Sequence, residues 1–301
     1  MDTTLVILAA GLGSRFGGGS AKQVAAIGEN GEIIADYSVF DAIRAGFTKI
    51  VYVIKEDMEK SFAENVSSKI KGAKVCLAFQ KLDDLPLGFS GFNRERPWGT
   101  AHALWAARHE VNEPFMMIYA DDFYGKKTFA DMNKFLIDTA YDETAFAMAG
   151  YKLEKTLSEH GSVARGVCTL KDGYLVKIDE TLNIHMRPDG IAYPIYGNEN
   201  NYKFLPFDSI VSMGAFASKP SIFMQIEKGF AEFLTNNQQN LKAEYYAPVV
   251  ISDMINNGQA SVKVVEADEQ WYGITHADDK PIVQAAIAKM TENGVYPKKL
   301  F

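Results

Sequence analysis

Leu5-Val-Ile-Leu-Ala-Ala-Gly-Leu-Gly-Ser-Arg-Phe-Gly-Gly-Gly-Ser-Ala-Lys-Gln23 is the stretch on which the rest of the chain hangs. Its first six residues, 5–10, are an unbroken apolar run. Such a run with no polar alternation predicts a short strand buried on both faces. Gly11 and Gly13 follow, then Arg15, and seven residues later Lys22. Glycine carries no Cβ, so its backbone N–H can come close to a ligand. A series of such groups after a strand makes a concavity suited to phosphate oxygens, to which Arg15 and Lys22 add two positive charges. Two common phosphate loops are excluded. Phe16 stands where a dinucleotide fingerprint has its third glycine, and no Gly-Lys-Ser/Thr follows.

Length and composition bound the answer. The chain has 301 residues, of which 47% are hydrophobic, enough for one large α/β core or two smaller ones. The net charge of −7 and a pI near 5.4 argue against a nucleic-acid partner, which calls for a basic face. A nucleotide substrate stays open, since two or three local cations suffice. Cys76 and Cys168 each lie in an apolar run and read as buried thiols. No apolar run approaches 18 residues and no cleavable leader is visible, so the expectation is a soluble, cytoplasmic protein with no membrane partner; a homo-oligomer is left open.

Downstream, Asn30-Gly31 reads as a turn between two short extended pieces. Val39, Phe40, Ile43 and Phe47 share a helix face that Gly46 ends. Strands are expected at 49–54, 73–79 and 113–120, with a surface helix over 58–70 between the first two. This rhythm predicts an α/β, Rossmann-like doubly wound mixed sheet, with ligands at the carboxyl ends of the strands. Residues 81–97 read as a loop. Helices are expected at 128–140, 219–234, 244–257 and 281–293, and strands at 143–151, 209–217 and 261–267. Residues 163–180 form a β-hairpin around Asp172-Gly173. The run 191–207, rich in aromatics and proline, reads as a covering loop.

Two features mark the strand ends. Pro97-Trp-Gly-Thr-Ala-His-Ala-Leu104 starts a helix with small residues, which permits close approach of a ligand. His102, one turn in, reads as a packing residue. Asp121 and Asp122 close a buried strand, a costly arrangement unless they are paired or hold a metal. With phosphate oxygens they form the oxygen set that Mg²⁺ takes.

Leu8-Ala-Ala-Gly-x-Gly-x-Arg15 followed by Lys22 resembles the signature of the nucleotidyltransferases that activate sugar phosphates. Ala21 replaces their proline, and Lys22-Gln23 also looks like the cytidylyltransferases of isoprenoid synthesis. The resemblance runs through the chain in order. It implies one nucleotidyltransferase domain over 1–301, of a fold shared with GT-A glycosyltransferases. Residues 1–125 would be its nucleotide half, and 126–301 would form an inserted β-rich acceptor half. It implies that Arg15 and Lys22 are catalytic. The nucleotide would meet Ala9, Ala10, Gly11, Gly13 and Ser14. Gln80 would read the base, and Gly99, Thr100 and Ala101 would pack against the nucleotide. Asp121 would bind Mg²⁺, and Asp122, Glu180 and Gly214 would lie on the acceptor side. The implied reaction joins an NTP and a sugar 1-phosphate, or a similar small phosphate, into an NDP-sugar and pyrophosphate.

Two family features are missing. The lysine expected after Glu180 is Thr181, for which Lys177, His185 or Arg187 are candidate substitutes. The second metal aspartate, expected two residues after Trp271, is Gly273; Asp278, Asp279 or Asp208 could stand in. A glycosyltransferase using Asp121-Asp122, or a regulator that binds nucleotide sugars without catalysis, therefore remain open.

Overall fold

The computed structural model describes residues 1–12, 26–158, 160–195, 198–274 and 278–301. The apolar run forms β1 (Thr4–Leu8), every residue of it buried. Then come α1 (Ile34–Ala45), β2 (Lys49–Ile54), α2 (Glu59–Asn65), β3 (Lys74–Phe79), α3 (Thr100–Ala106), β4 (Phe115–Tyr119), β5 (Asp122–Phe123) and α4 (Lys126–Asp138). The second half adds β6 (Ala145–Lys152), β7 (Val163–Lys171), β8 (Tyr174–Arg187), β9 (Gly190–Ile195), β10 (Asn198–Leu205) and β11 (Ile210–Ser218). It closes with α5 (Ile222–Asn236), α6 (Ala247–Asn256), β12 (Ser261–Ala267), β13 (Tyr272–Gly273) and α7 (Asp279–Glu292).

One mixed sheet runs in the order β10-β9-β8-β12-β6-β11-β4-β1-β2-β3, with β7 beside β8 and β11. β1 is parallel to β2 and β4, and β2 to β3. The carboxyl ends of β1, β3 and β4 therefore share one edge. β11 runs antiparallel between β4 and β6 and joins the two halves. Side chains of β1 alternate across the sheet. Leu5 and Ile7 pack with Val39 of α1 and Met132 of α4, while Val6 and Leu8 pack with Leu104 of α3 and Phe230 of α5. Both faces are covered, which is why the strand carries no polar residue in its core.

α1 ends as its sequence predicts. Gly46 adopts φ +101°, and its N–H and that of Phe47 bond back to Ile43 O and Ala42 O, each at 3.0 Å. Asn30-Gly31 sits in the expected turn, where Ile27 N–H donates to Glu32 O (2.8 Å), and after the extended Ile33 α1 starts at Ile34. Three sequence expectations are corrected. The helix expected over 58–70 is only seven residues long, flanked by 3₁₀ turns at Glu56–Met58 and Ser67–Lys69. The presumed loop at 191–207 is the β9–β10 hairpin, extending the sheet from β8. Cys76 and Cys168 are free and half-buried rather than fully buried.

Candidate active site

The shared strand edge gathers the first group of residues. Ala9 and Ala10, both buried, lie where β1 ends: Ala9 N–H donates to Val53 O (2.8 Å), and Ala120 N–H reaches Leu8 O (3.3 Å). Gly11 is exposed, and among the described residues a Cβ there would touch nothing within 4 Å. Gly13, Ser14, Arg15 and Lys22 lie outside the described residues.

Gln80 follows β3 on the same edge and is 8% exposed. Its Nε2 donates to Gly99 O and to His102 Nδ1, each at 3.1 Å. His102 Nε2 lies 2.9 Å from Asp84 O, a pure acceptor, so the ring carries its proton on Nε2 and accepts at Nδ1. Burial pulls the imidazole down to about 4, which keeps it neutral. His102 is thus the packing residue that its sequence context predicts. Both hydrogens of the Gln80 amide are spent, and its Oε1 has no partner among the described residues.

Gly99 has φ +107°, and a Cβ on it would lie 2.5 Å from Tyr245 O. The close approach is used: Tyr245 N–H donates to Trp98 O (2.7 Å), and Ala101 N–H to Tyr245 O (3.0 Å). The Ala101 amide is therefore already committed within the protein. Thr100 Oγ1 accepts from Ala247 N–H (2.9 Å), capping α6. The loop 81–97 is pinned from below. Trp98 Nε1 donates to Leu82 O (3.0 Å), and Arg108 forks onto Asp84 at 2.8 and 2.6 Å.

After β4 the chain turns at Asp121, half-buried, into β5 at Asp122. Tyr124, fully buried, holds this turn. Its hydroxyl accepts from Tyr119 N–H (3.2 Å) and lies 2.9 Å from Met213 O and 3.2 Å from Asp122 Oδ2. Asp122 pairs with Gly273 across the β5–β13 ladder. Burial of its carboxyl, and the neighbouring Asp121, push Asp122 well above the usual carboxylate range. A bound cation would relieve both costs. Two adjacent carboxylates fit a hard divalent ion whose remaining positions are filled by phosphate oxygens and water. Among the described residues no group of three acidic, histidine or cysteine side chains is placed to hold a metal.

Beside the acidic pair opens a cleft of 690 Å³, lined by Tyr119, Asp122, Arg165, Glu180, Gly214 and Tyr246 among others. Gly214 lies in a β11 irregularity at φ +78°, where a Cβ would meet the Tyr119 ring. Glu180 projects to the cleft side, since the missing Cβ of Gly166, its cross-strand partner, would lie 3.9 Å from Glu180 Oε2.

The candidate substitutes fall elsewhere. Lys177 pairs with Asp179 (2.6 Å) on an exposed stretch, and His185 Nδ1 bonds Asn183 O (3.0 Å). Arg187 faces Asp189 (3.4 Å) and stacks on Tyr202. Asp208 sits in the exposed turn before β11, and Asp278 is exposed at the start of α7. Asp279 alone of the three lines a cavity with Gly273, and it accepts from Ser158 Oγ (3.0 Å).

Sequence reasoning missed Arg165. It is 8% exposed on β7, and burial pulls it down to about 10, against the opposing fields of Asp122, Glu180 and Asp279. It therefore stays charged at neutral pH. The signal was present in the sequence: in Val163-Ala-Arg-Gly-Val167, strand alternation sets Arg165 on the face of two valines.

The family model for nucleotidyl transferases matches residues 4–289. The chain belongs to that family. No curated protein sequence matches it. Among solved structures, the inositol-1-phosphate CTP transferase from T. maritima is similar with a TM-score of 0.61 and 16% identity, covering 96% of each chain. UDP-glucose pyrophosphorylase complexed with UDP-glucose is similar with a TM-score of 0.59 and 15% identity, covering 96% of this chain and 99% of that one. These likenesses establish the α/β nucleotidyltransferase fold that the sequence predicts. Among the described residues no helix is long and apolar enough to cross a membrane.

Proposed function

We propose that this nucleotidyl transferase joins an NTP to a sugar 1-phosphate, or a similar small phosphorylated acceptor, releasing pyrophosphate. One observation carries the reading. The parallel strands bring Ala9–Gly11, Gln80 and Asp121-Asp122 to a single edge, and the cleft beside Asp122 opens from that edge. Residues 1–125 then form the nucleotide half and 126–301 the acceptor half.

An oxygen of the acceptor phosphate attacks the α-phosphorus in line. The bond from the α-phosphorus to its bridging oxygen breaks, and that electron pair leaves with pyrophosphate. No covalent intermediate is needed; the protein aligns two anions and stabilises developing charge. Two unit charges 4 Å apart repel by about 4 kcal/mol at an effective dielectric near 20. Arg15, toward the leaving phosphates, and Lys22, toward the α-phosphate, offset that repulsion on the nucleotide side. A divalent cation on Asp121 and Asp122, in our reading Mg²⁺, supplies further charge neutralisation when bound. Gln80 Oε1 is the acceptor left for a base N–H, and the Gly99–Thr100 backbone lies beneath the nucleotide. Glu180 accepts acceptor hydroxyls, and Gly214 keeps the cleft open by letting Tyr119 lie flat.

The test crosses the common NTPs with sugar 1-phosphates and alcohol phosphates and identifies products by mass spectrometry. A product carrying one nucleotidyl group on one acceptor supports the reading. Transfer of a sugar from an NDP-sugar instead would replace it with glycosyl transfer.

A further inference from the structure

Arg165 is a cation built into the floor of the acceptor cleft. Its Nε donates to Thr156 Oγ1 (3.1 Å), Nη1 to Ala164 O (2.8 Å), and Nη2 to Thr156 O. The guanidinium carbon lies 4.7 Å from the centre of the Trp271 ring. These contacts fix the plane of the group yet, among the described residues, use three of the five N–H donors that a guanidinium carries. A buried guanidinium that forms no ion pair among the described residues has charge to offer an anion.

Its location selects the anion. Arg165 lines the 690 Å³ cleft together with Asp122 and Glu180, and also lines the adjoining cavity of 320 Å³ with Gly273 and Trp271. It thus stands at the junction of the acidic pair and the acceptor cleft. On the function proposed above two phosphates must meet there, and Arg15 and Lys22 are assigned to the nucleotide. On β8 its cross-strand partner is Thr181, so the two side chains share one face of the hairpin. The other basic residues of β8 are committed: Lys177 to Asp179, and Arg187 to Asp189 and Tyr202.

We propose that Arg165 binds the phosphate of the acceptor, presenting its two unused N–H groups to the phosphate oxygens. The proposal rests on the reading of this cleft as the acceptor side. A planar fork suits a phosphate better than a lone ammonium, because two parallel bonds orient as well as attract.

The test titrates inorganic phosphate by calorimetry into the full chain carrying Arg15→Ala and Lys22→Ala, which silences the nucleotide loop. Adding Arg165→Gln should weaken phosphate binding by about tenfold or more, the scale of a charged hydrogen bond. Arg165→Lys, which keeps the charge and loses the fork, should weaken binding less than Arg165→Gln does, while Lys177→Gln should change nothing. Circular dichroism reports whether each variant folds. If Arg165→Gln does not fold, Arg165→Lys decides, and should weaken phosphate binding severalfold. Unchanged phosphate affinity in a folded Arg165→Gln protein, or in Arg165→Lys where only that one folds, overturns the proposal. Pyrophosphate release by the unmodified protein is read separately. Its absence would sink nucleotidyl transfer and leave the phosphate titration to stand or fall alone.

Discussion

Gly273 lies directly opposite Asp122 in the β5–β13 ladder, and a Cβ on it would come within 2.5 Å of Trp271 Cζ2 and 3.2 Å of Asp122 Oδ1. The position where the family resemblance calls for an aspartate therefore lies beside Asp122, and the indole and Asp122 fill its space. Trp271 is itself buried, so it cannot swing aside cheaply. Gly273→Asp should destabilise the protein by about 1–3 kcal/mol, the usual cost of overpacking. Urea denaturation measures this, and metal titration of the same variant should show no tighter binding. Wild-type stability with tighter binding would show that the site has room for the missing ligand.

His102 ties α3 to Gln80 and to the 81–97 loop as a neutral ring, facing Asp84, Arg108 and Arg94. Its folded pKa of about 4 lies below the ordinary value near 6.5. The unfolded chain therefore binds more protons between those values, and stability falls as pH falls through that window. The contribution is fully present above about pH 6.5, and its size is roughly 3 kcal/mol. His102→Gln can accept from Gln80 and donate to Asp84 O without titrating. Stability curves of the two proteins between pH 7 and 4 should diverge, with the variant losing less.

Gly214 lets the Tyr119 ring lie over the β11 irregularity, with the place of a Cβ only 2.6 Å from Tyr119 Cδ2. The positive φ adds backbone strain to any side chain there. Gly214→Ala should cost about 1–3 kcal/mol and push Tyr119 into the acceptor cleft. Steady-state kinetics should show the acceptor KM rising by more than the nucleotide KM.

Asp121→Asn keeps the shape of the turn and removes one charge from the candidate cation site. Turnover should fall by roughly a hundredfold or more, as it does when other preorganised charge-stabilising groups are lost. Excess metal should recover part of the loss, which a merely structural Asp121 would not show.

Legibility in the sequence followed local physics. The strands 49–54 and 261–267 were readable to the residue: the first is an apolar run behind Lys49, and the second is a valine-rich stretch that follows the turn at Gly258. Gly46 marked the end of α1 through its left-handed φ. The β9–β10 hairpin was hidden. Pro194 interrupts one strand, and Asn198-Glu-Asn-Asn201 gives the other no apolar alternation, so only pairing at the sheet margin defines them. At the site, Ala9–Gly11, Gln80 and Asp121 were readable as residues that end strands. The pairing of Gly273 with Asp122 was not, since β5 and β13 are two residues each and lie far apart in the sequence. Arg165 was written into the alternation of its strand, but a single cation in a hairpin gives no spacing motif.

The most direct measurement is pyrophosphate release by the purified protein with Mg²⁺, an NTP and a phosphorylated acceptor, beside Asp121→Ala and Lys22→Ala. The account predicts release that requires both substrates and falls by roughly a hundredfold or more in each variant. Release that survives both substitutions would contradict the assignment of the site. No release from any substrate pair, with nucleotide still bound in calorimetry, would contradict catalysis itself and leave a nucleotide-binding regulator.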